Sequence, residues 1–363
     1  MIVALTSDST YYTHTADLYI MKHLIDPGDS PMQKISLSLF IVKKILGALI
    51  TLFLVMSVLF VLLNSVAGGD MVTRMAPFAG AEVKEQLREL WGLNDPLYEQ
   101  YLVFMKKVFT MDYRLTYDQT ETSMDMLLFY MPYTILLFGT ATILTYVIGF
   151  FMGVRMLARK NSILRQVVTG IAVIFYAVPA FVLVVYLKNW FMFKYEIFPP
   201  ITYVFKGPDT FPDGATIMNH LANMRIILPS MSLPLLVLII IGLARPLLLL
   251  KDHMVTLLGE PFVITARAKG LKENTVISRH VARCAMLPLL SDASINLPLI
   301  ISGGIIIEYI CSWPGIGTQL FNALKVLYYP TIAAAIFLLT LILMISMIIV
   351  DTLNAYLDPR VNV

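Results

Sequence analysis

Few residues in this chain are of a type and spacing suited to chemistry. The histidines His14, His23, His220, His253 and His280 are scattered, with no HExxH or comparable spacing that would seat a metal. Cys284 and Cys311 are the only cysteines and lack the paired spacing of a metal site or disulfide framework. No GxxxxGKS/T loop is present to cradle ATP phosphates, so no catalytic residue, cofactor or metal is expected, and any nucleotide energy must come from another chain. What stands out is the stretch Glu260 to Pro288, EPFVITARAKGLKENTVISRHVARCAMLP, where charge gathers between apolar runs long enough to cross a bilayer. Such a segment must sit in water close to the membrane surface.

Local signals give this stretch a structure. Pro261 after Glu260 reads as a helix start, because a proline at the first helical position loses only an N–H that would be unpaired anyway. Gly270 ends that helix, since glycine takes the left-handed conformation at no steric cost. A second helix is expected from Lys272 through Arg279 and Arg283 to Pro288, giving two short helices that meet at a bend. The arrangement resembles the EAA loop of permease subunits in bacterial and archaeal ABC importers, with Glu260, Ala266, Gly270 and Leu287-Pro288 at the family spacing. The string Thr265-Ala266-Arg267-Ala268-Lys269-Gly270-Leu271 narrows the resemblance to the oligopeptide/dipeptide/nickel family and to its B-type subunit. In that family the loop forms coupling helices that dock on an ATPase subunit. The resemblance implies that Glu260, Pro261, Ala266, Arg267, Ala268, Lys269, Gly270, Leu271 and Pro288 belong to the coupling surface, with small Ala266 and Ala268 allowing close approach.

The elements that must position this loop are spans. With 58% hydrophobic and 14% charged residues and a mean hydropathy of +0.76, the chain is too apolar for a soluble fold of its length. The formal charge of +3 is too small to suggest nucleic-acid binding. Six apolar segments are expected to cross the membrane, near 41–63, 133–154, 167–187, 227–243, 291–307 and 331–350. None carries an Asp, Glu, Lys or Arg in its middle, although Asn296, Tyr146, Tyr176 and several Ser and Thr residues could line a polar path, and that absence argues against an ion-coupled carrier. Residues 1–38 read as a cytosolic extension and 39–361 as the transmembrane permease domain. Region 66–131 is polar and acidic on balance, and within it Leu97, Tyr101, Phe104, Met105 and Val108 recur on one helical face.

Orientation follows from the basic turn holding Arg155, Arg159, Lys160 and Arg165, which the positive-inside rule assigns to the cytosol. The Glu260 to Pro288 loop and both termini then fall on the same side, and 66–131 outside. Two more stretches widen the resemblance to about residues 39–361: Glu308 with Ser312-Trp313-Pro314-Gly315-Ile316-Gly317, and the closing Val350-Asp351-Thr352-Leu353-Asn354-Ala355-Tyr356-Leu357-Asp358-Pro359-Arg360. The first looks like the family's extracytoplasmic turn between the last two spans. Trp313 is expected as an interfacial anchor, Glu308 as an exposed acid at a helix end, and Gly315 and Gly317 as hinges for a tight re-entry.

Together these expectations describe an all-α integral membrane protein with six transmembrane helices of the ABC importer permease type. The resemblance implies a prokaryotic plasma or inner membrane, a second permease subunit, two ATPase subunits that bind the ATP, and an external substrate-binding protein, with peptide the leading substrate. The rival readings are an ion-coupled secondary carrier and a non-transporting scaffold or receptor, neither of which calls for the Thr265 to Leu271 string.

Overall fold

The computed structural model describes residues 37–65, 72–73, 78–90, 92–113, 123–158, 162–198 and 227–357, and all are helix, turn or irregular chain, with no strand among them. The expected extension at 1–38 lies almost wholly outside the described residues, as do Arg159, Lys160, the segment 199–226 and the closing Asp358-Pro359-Arg360. Along the chain the helices are α1 (Leu37–Ser65), α2 (Ala81–Leu90), α3 (Leu97–Thr110), α4 (Ser123–Ala158), α5 (Ser162–Ala177) and α6 (Ala180–Leu187). They continue as α7 (Ser232–Gly242), α8 (Ala244–Leu257), α9 (Pro261–Ala268), α10 (Glu273–Thr275), α11 (Ala282–Cys311), α12 (Ile316–Val326) and α13 (Tyr329–Leu357).

Among the described residues four helical stretches are long and apolar enough to cross a membrane: Ile41–Ser65, Ser123–Ala158, Pro229–Leu257 and Tyr329–Asn354. A bent pair, Arg165–Ala177 with Ala180–Lys194, makes a fifth if counted as one span. The expected span 167–187 falls within this pair, and the chain turns by 100° there. Pro179 explains the break. It sits extended at φ −58°, ψ 134°, and its ring disfavours helical geometry at the residue before it. The expected span 291–307 lies inside α11 (Ala282–Cys311), which is not among the four.

Contacts gather the helix ends at two poles. At one pole Leu157 of α4 clusters with Leu250 and Met254 of α8 and with Val263, Ala266, Val276 and Ile277. At the other, the Trp313 indole N–H donates to the Tyr133 carbonyl at 3.1 Å and the Ile316 N–H donates to Thr134 Oγ1 at 2.8 Å. There too Tyr329 Oη donates to the Leu63 carbonyl, Thr331 Oγ1 donates to Ser123 Oγ, and Lys188 Nζ donates to the Ile310 carbonyl. Lys44 of α1 and Asp351 of α13 pair at 2.7 Å, joining the start of the first long helix to the end of the last.

The amphipathic face of α3 docks on α1: Met105 and Val108 are buried, and Tyr101 and Phe104 lie with ring centroids 5.3 and 5.4 Å from Phe60. Leu97, expected on the same face, opens the helix and is exposed.

Candidate functional site

The stretch Glu260 to Pro288 folds as a bent knob. Glu260 is extended at φ −74°, ψ 147°, and Pro261 begins α9. Gly270 has φ +75°, the left-handed value that closes the helix, and its N–H returns to the Arg267 carbonyl. Across the bend Arg267 Nε and Nη2 donate to the Glu273 carboxylate at 3.1 and 2.7 Å, so one planar fork ties α9 to the start of the next helical run. Both side chains are exposed, and the pair sets an angle more than it stabilises the fold. The carboxylate holds the Arg267 guanidinium protonated, above its ordinary range.

Burial divides the knob into two faces. Val263, Ala266, Val276, Ile277 and Val281 turn inward and form the small core beneath it. Phe262, Ile264, Thr265, Arg267, Ala268, Lys269, Gly270 and Leu271 face outward, a surface of basic and apolar side chains. Two expectations change. Ala266 is buried against its own chain, so its small size lets α9 settle on the bundle, and only Ala268 is open for close approach from outside. The second helix does not stop at Pro288. After α10 and a π turn at Val276–Val281, the chain passes into α11 and stays helical to Cys311, because Pro288 sits among helices that can absorb one missing N–H.

The turn between α11 and α12 also differs from its sequence reading. Trp313 is fully buried with its indole N–H bonded inward, so it is a core residue and no interfacial anchor. Glu308 is fully buried too, with Oε2 accepting the Gly317 N–H at 2.7 Å and Oε1 left without a partner among the described residues. The glycines explain why it fits. A Cβ at Gly315 would lie 2.3 Å from Glu308 Oε1, and one at Gly317 would lie 2.5 Å from Oε2. Gly315 itself is extended at φ −119°, so its role is space and not an unusual bend, and Pro314 sits buried between Trp313 and Gly315.

Sequence reasoning marked Tyr146 and Asn296 as residues that could line a polar path but missed the ion pair beside them. Asp292 of α11 is 7% exposed and takes the Arg245 guanidinium in a fork, from Nε at 2.9 Å and from Nη2 at 2.8 Å. Tyr146 of α4 donates its hydroxyl to Asp292 Oδ2 at 2.8 Å. Ending one span at Leu243 and starting another at Ser291 hid this pair. The helical run from Pro229 to Leu257 carries Arg245 near its middle, which overturns the expectation that no span holds a central charge. A usable signal was present: an Arg and an Asp, each within two residues of an apolar run's end, must be buried if the helix continues. No group of three or more histidine, cysteine, aspartate or glutamate side chains that could hold a metal occurs among the described residues.

Comparison with known proteins gives the chain a family. A family model described as "Binding-protein-dependent transport system inner membrane component" matches residues 115–363, and a companion described as "Binding-prot-dependent transport system membrane comp, N-term" matches 37–131. The chain is 27% identical over 328 residues to the dipeptide transport system permease protein DppB of Lactococcus lactis, covering 89% of this chain and 99% of that one. It is 28% identical over 325 residues to the oligopeptide transport system permease protein AppB of Bacillus subtilis, covering 89% and 99%. Against the glutathione transport system permease protein GsiC of Escherichia coli K12 the identity is 27% over 323 residues, covering 89% and 98%. The chain belongs to the family of binding-protein-dependent transport system inner membrane components, and is similar within it to the B-type permease subunits that its 260–288 stretch resembles.

Proposed function

We propose that this protein is the membrane-spanning subunit of an ATP-driven importer of peptides, pairing with a second permease to form the path and engaging ATPase subunits through the loop 260–288. The observation that carries this reading is the two-faced knob: its inner face is buried on the bundle, while its outer face displays Phe262, Ile264, Arg267, Lys269 and Leu271 on a frame fixed by Gly270 and the Arg267–Glu273 fork. By linkage, an ATPase shifts a gate only if its contacts with this surface differ between gate states. A rigid knob continuous with α11 is suited to carry that difference into the bundle. Peptide as substrate is supported by the names of DppB, AppB and GsiC, which transport a dipeptide, an oligopeptide and glutathione.

Six crossings are supported by the order of contacts at the two poles. The end of α4 and the end of α8 share one pole with the knob, while the start of α4, the end of α1, the start of α13 and the end of α11 share the other. The bent pair α5–α6 must then cross once between α4 and α7, and α11 must cross once between the knob and Trp313. With α1, α4, α7–α8 and α13 the total is six. The basic side chains Arg155 and Arg165 favour the cytosol for the knob's pole and for both termini. Glu308, Trp313, Pro314, Gly315 and Gly317 then form the external turn, where a substrate-binding protein would approach.

The pair of half-buried Arg245 with buried Asp292 is the one observation that favours an ion-coupled carrier, since such carriers hold ionisable groups at membrane depth. Uptake by vesicles containing the purified assembly separates the two. The importer reading predicts peptide uptake that needs ATP, survives collapse of ion gradients and accompanies a co-purifying ATPase. Uptake by this chain alone, driven by an ion gradient without ATP, would sink it.

A further inference from the structure

A cavity of 210 Å³ opens between α5–α6, α7–α8 and α11, and Tyr176, Leu238, Arg245, Asn296, Gly303 and Gly304 contribute to its wall. The two glycines play different parts. A Cβ at Gly304 would lie 2.0 Å from the Phe138 ring, so this residue lets α11 close on α4, whereas a Cβ at Gly303 would meet nothing within 4 Å. Arg245 enters the wall already oriented. Its Nε and Nη2 are taken by Asp292, which is itself fixed by the Tyr146 hydroxyl, and Nη1 has no protein acceptor among the described residues. A guanidinium offers two forked edges. Asp292 occupies the Nε–Nη2 edge, and the Nη1–Nη2 edge is the one left to the cavity.

We propose that Arg245 is a contact point in the translocation path for the carboxylate end of a peptide, with Asp292 and Tyr146 as the residues that position it. The inference rests on the peptide-importer reading and deepens it by assigning part of the substrate's recognition to this chain. A guanidinium edge matches the planar geometry of a carboxylate with two parallel hydrogen bonds. Because Asp292 already balances the charge, the attraction is short-ranged: enough to orient a passing peptide, and too little to trap it, which is the condition a conducting site must meet. The Asn296 amide on the same wall supplies a neutral donor and acceptor for the adjoining peptide unit. A purely structural contact at this depth would lose little by being apolar, since buried ion pairs are often neutral or costly for stability.

The test uses the complete transporter with its binding protein, reconstituted in vesicles and given ATP. The probe is a mixture of tri- to hexapeptides, supplied as free acids and as C-terminal amides, with accumulated peptides read by mass spectrometry. The variant Arg245→Gln with Asp292→Asn removes both charges together, so no lone buried charge is left. Its acid-to-amide uptake ratio should fall roughly tenfold from the wild-type ratio, the size of one charge-assisted contact. The same binding protein serves both transporters, so a changed ratio belongs to the permease. Arg245→Lys, which keeps the charge and loses the fork, should lower the ratio by a smaller factor with assembly intact, and covers the case in which the double variant does not assemble. Asp292→Asn alone should move the other way, with a lower KM for acids and slower turnover. Variants that assemble and keep the wild-type ratio would overturn the proposal. A wild-type assembly that takes up neither peptide form with ATP would instead defeat the importer reading on which it rests.

Discussion

Gly317 donates its backbone N–H to the fully buried Glu308 carboxylate at 2.7 Å, and Gly315 packs against the same group. The Trp313-Pro314-Gly315-Ile316-Gly317 string is therefore a mould around an acid that arrives from the preceding helix. Glu308 can yield to a new methyl group at either glycine only by swinging away from the Gly317 N–H. Gly315→Ala and Gly317→Ala should each cost about 1–3 kcal/mol, the range for overpacking or a lost buried hydrogen bond. The cost of either should shrink when Glu308 is already Ala, because the colliding carboxylate is gone, and for Gly317 only the 3.1 Å approach to the Ile305 Cα remains. Thermal unfolding of the three single and two double variants in detergent checks this, and strictly additive costs would show that the mould is not built around Glu308.

Thiol chemistry gives a second prediction. Cys284 is exposed on the knob's side of α11, while Cys311 is 2% exposed at the other end of the same helix. The two are a helix length apart and cannot form a disulfide, whose α-carbons must lie within about 7 Å. A membrane-impermeant maleimide should leave Cys284 unlabelled in intact cells and label it in inside-out vesicles. Cys311 should react slowly from both sides until the protein is unfolded. Labelling of Cys284 in intact cells would falsify the orientation.

How legible this molecule was depends on whether a residue's role is local. The Gly270 bend and the Pro261 helix start were readable because each is written in the backbone preferences of one or two residues. The inward turn of Ala266 was not, since burial depends on which face meets the bundle, and eight residues of helix do not declare it. Trp313 and Glu308 were misjudged because an amphipathic ring or an acid at a helix end is usually at the surface, and only the contact with Tyr133 and the two glycines shows otherwise. Arg245 and Asp292 are 47 residues apart in sequence, so a segment-by-segment reading sees two boundary charges where the fold makes one pair. The span expected over 167–187 carried no bend, although Pro179 was a local signal for one and was outweighed by hydropathy.

The contact between Lys44 and Asp351 yields a third prediction, on the number of crossings. If the first long helix begins and the last ends on one side of the membrane, cysteines in place of both residues should be joined by a short thiol-reactive crosslinker. Joining should occur in inside-out vesicles treated with an impermeant reagent. Crosslinking confined to detergent-solubilised protein would argue for an odd number of crossings. Exchanging the charges, Lys44→Asp with Asp351→Lys, should change stability by less than about 1 kcal/mol, because exposed pairs contribute little.

The central claim is that the loop 260–288 passes an ATPase's motion to the bundle, and substitution at Gly270 tests it most directly. A Cβ there meets nothing within 4 Å, so the penalty for a side chain comes only from φ +75° and not from a clash. That penalty is about 1–2 kcal/mol for an ordinary residue and larger for a β-branched one. ATP-driven peptide uptake and ATPase co-purification should be partly reduced for Gly270→Ala and nearly abolished for Gly270→Val, with both proteins still inserted in the membrane. Wild-type uptake and wild-type ATPase association for Gly270→Val would contradict the claim.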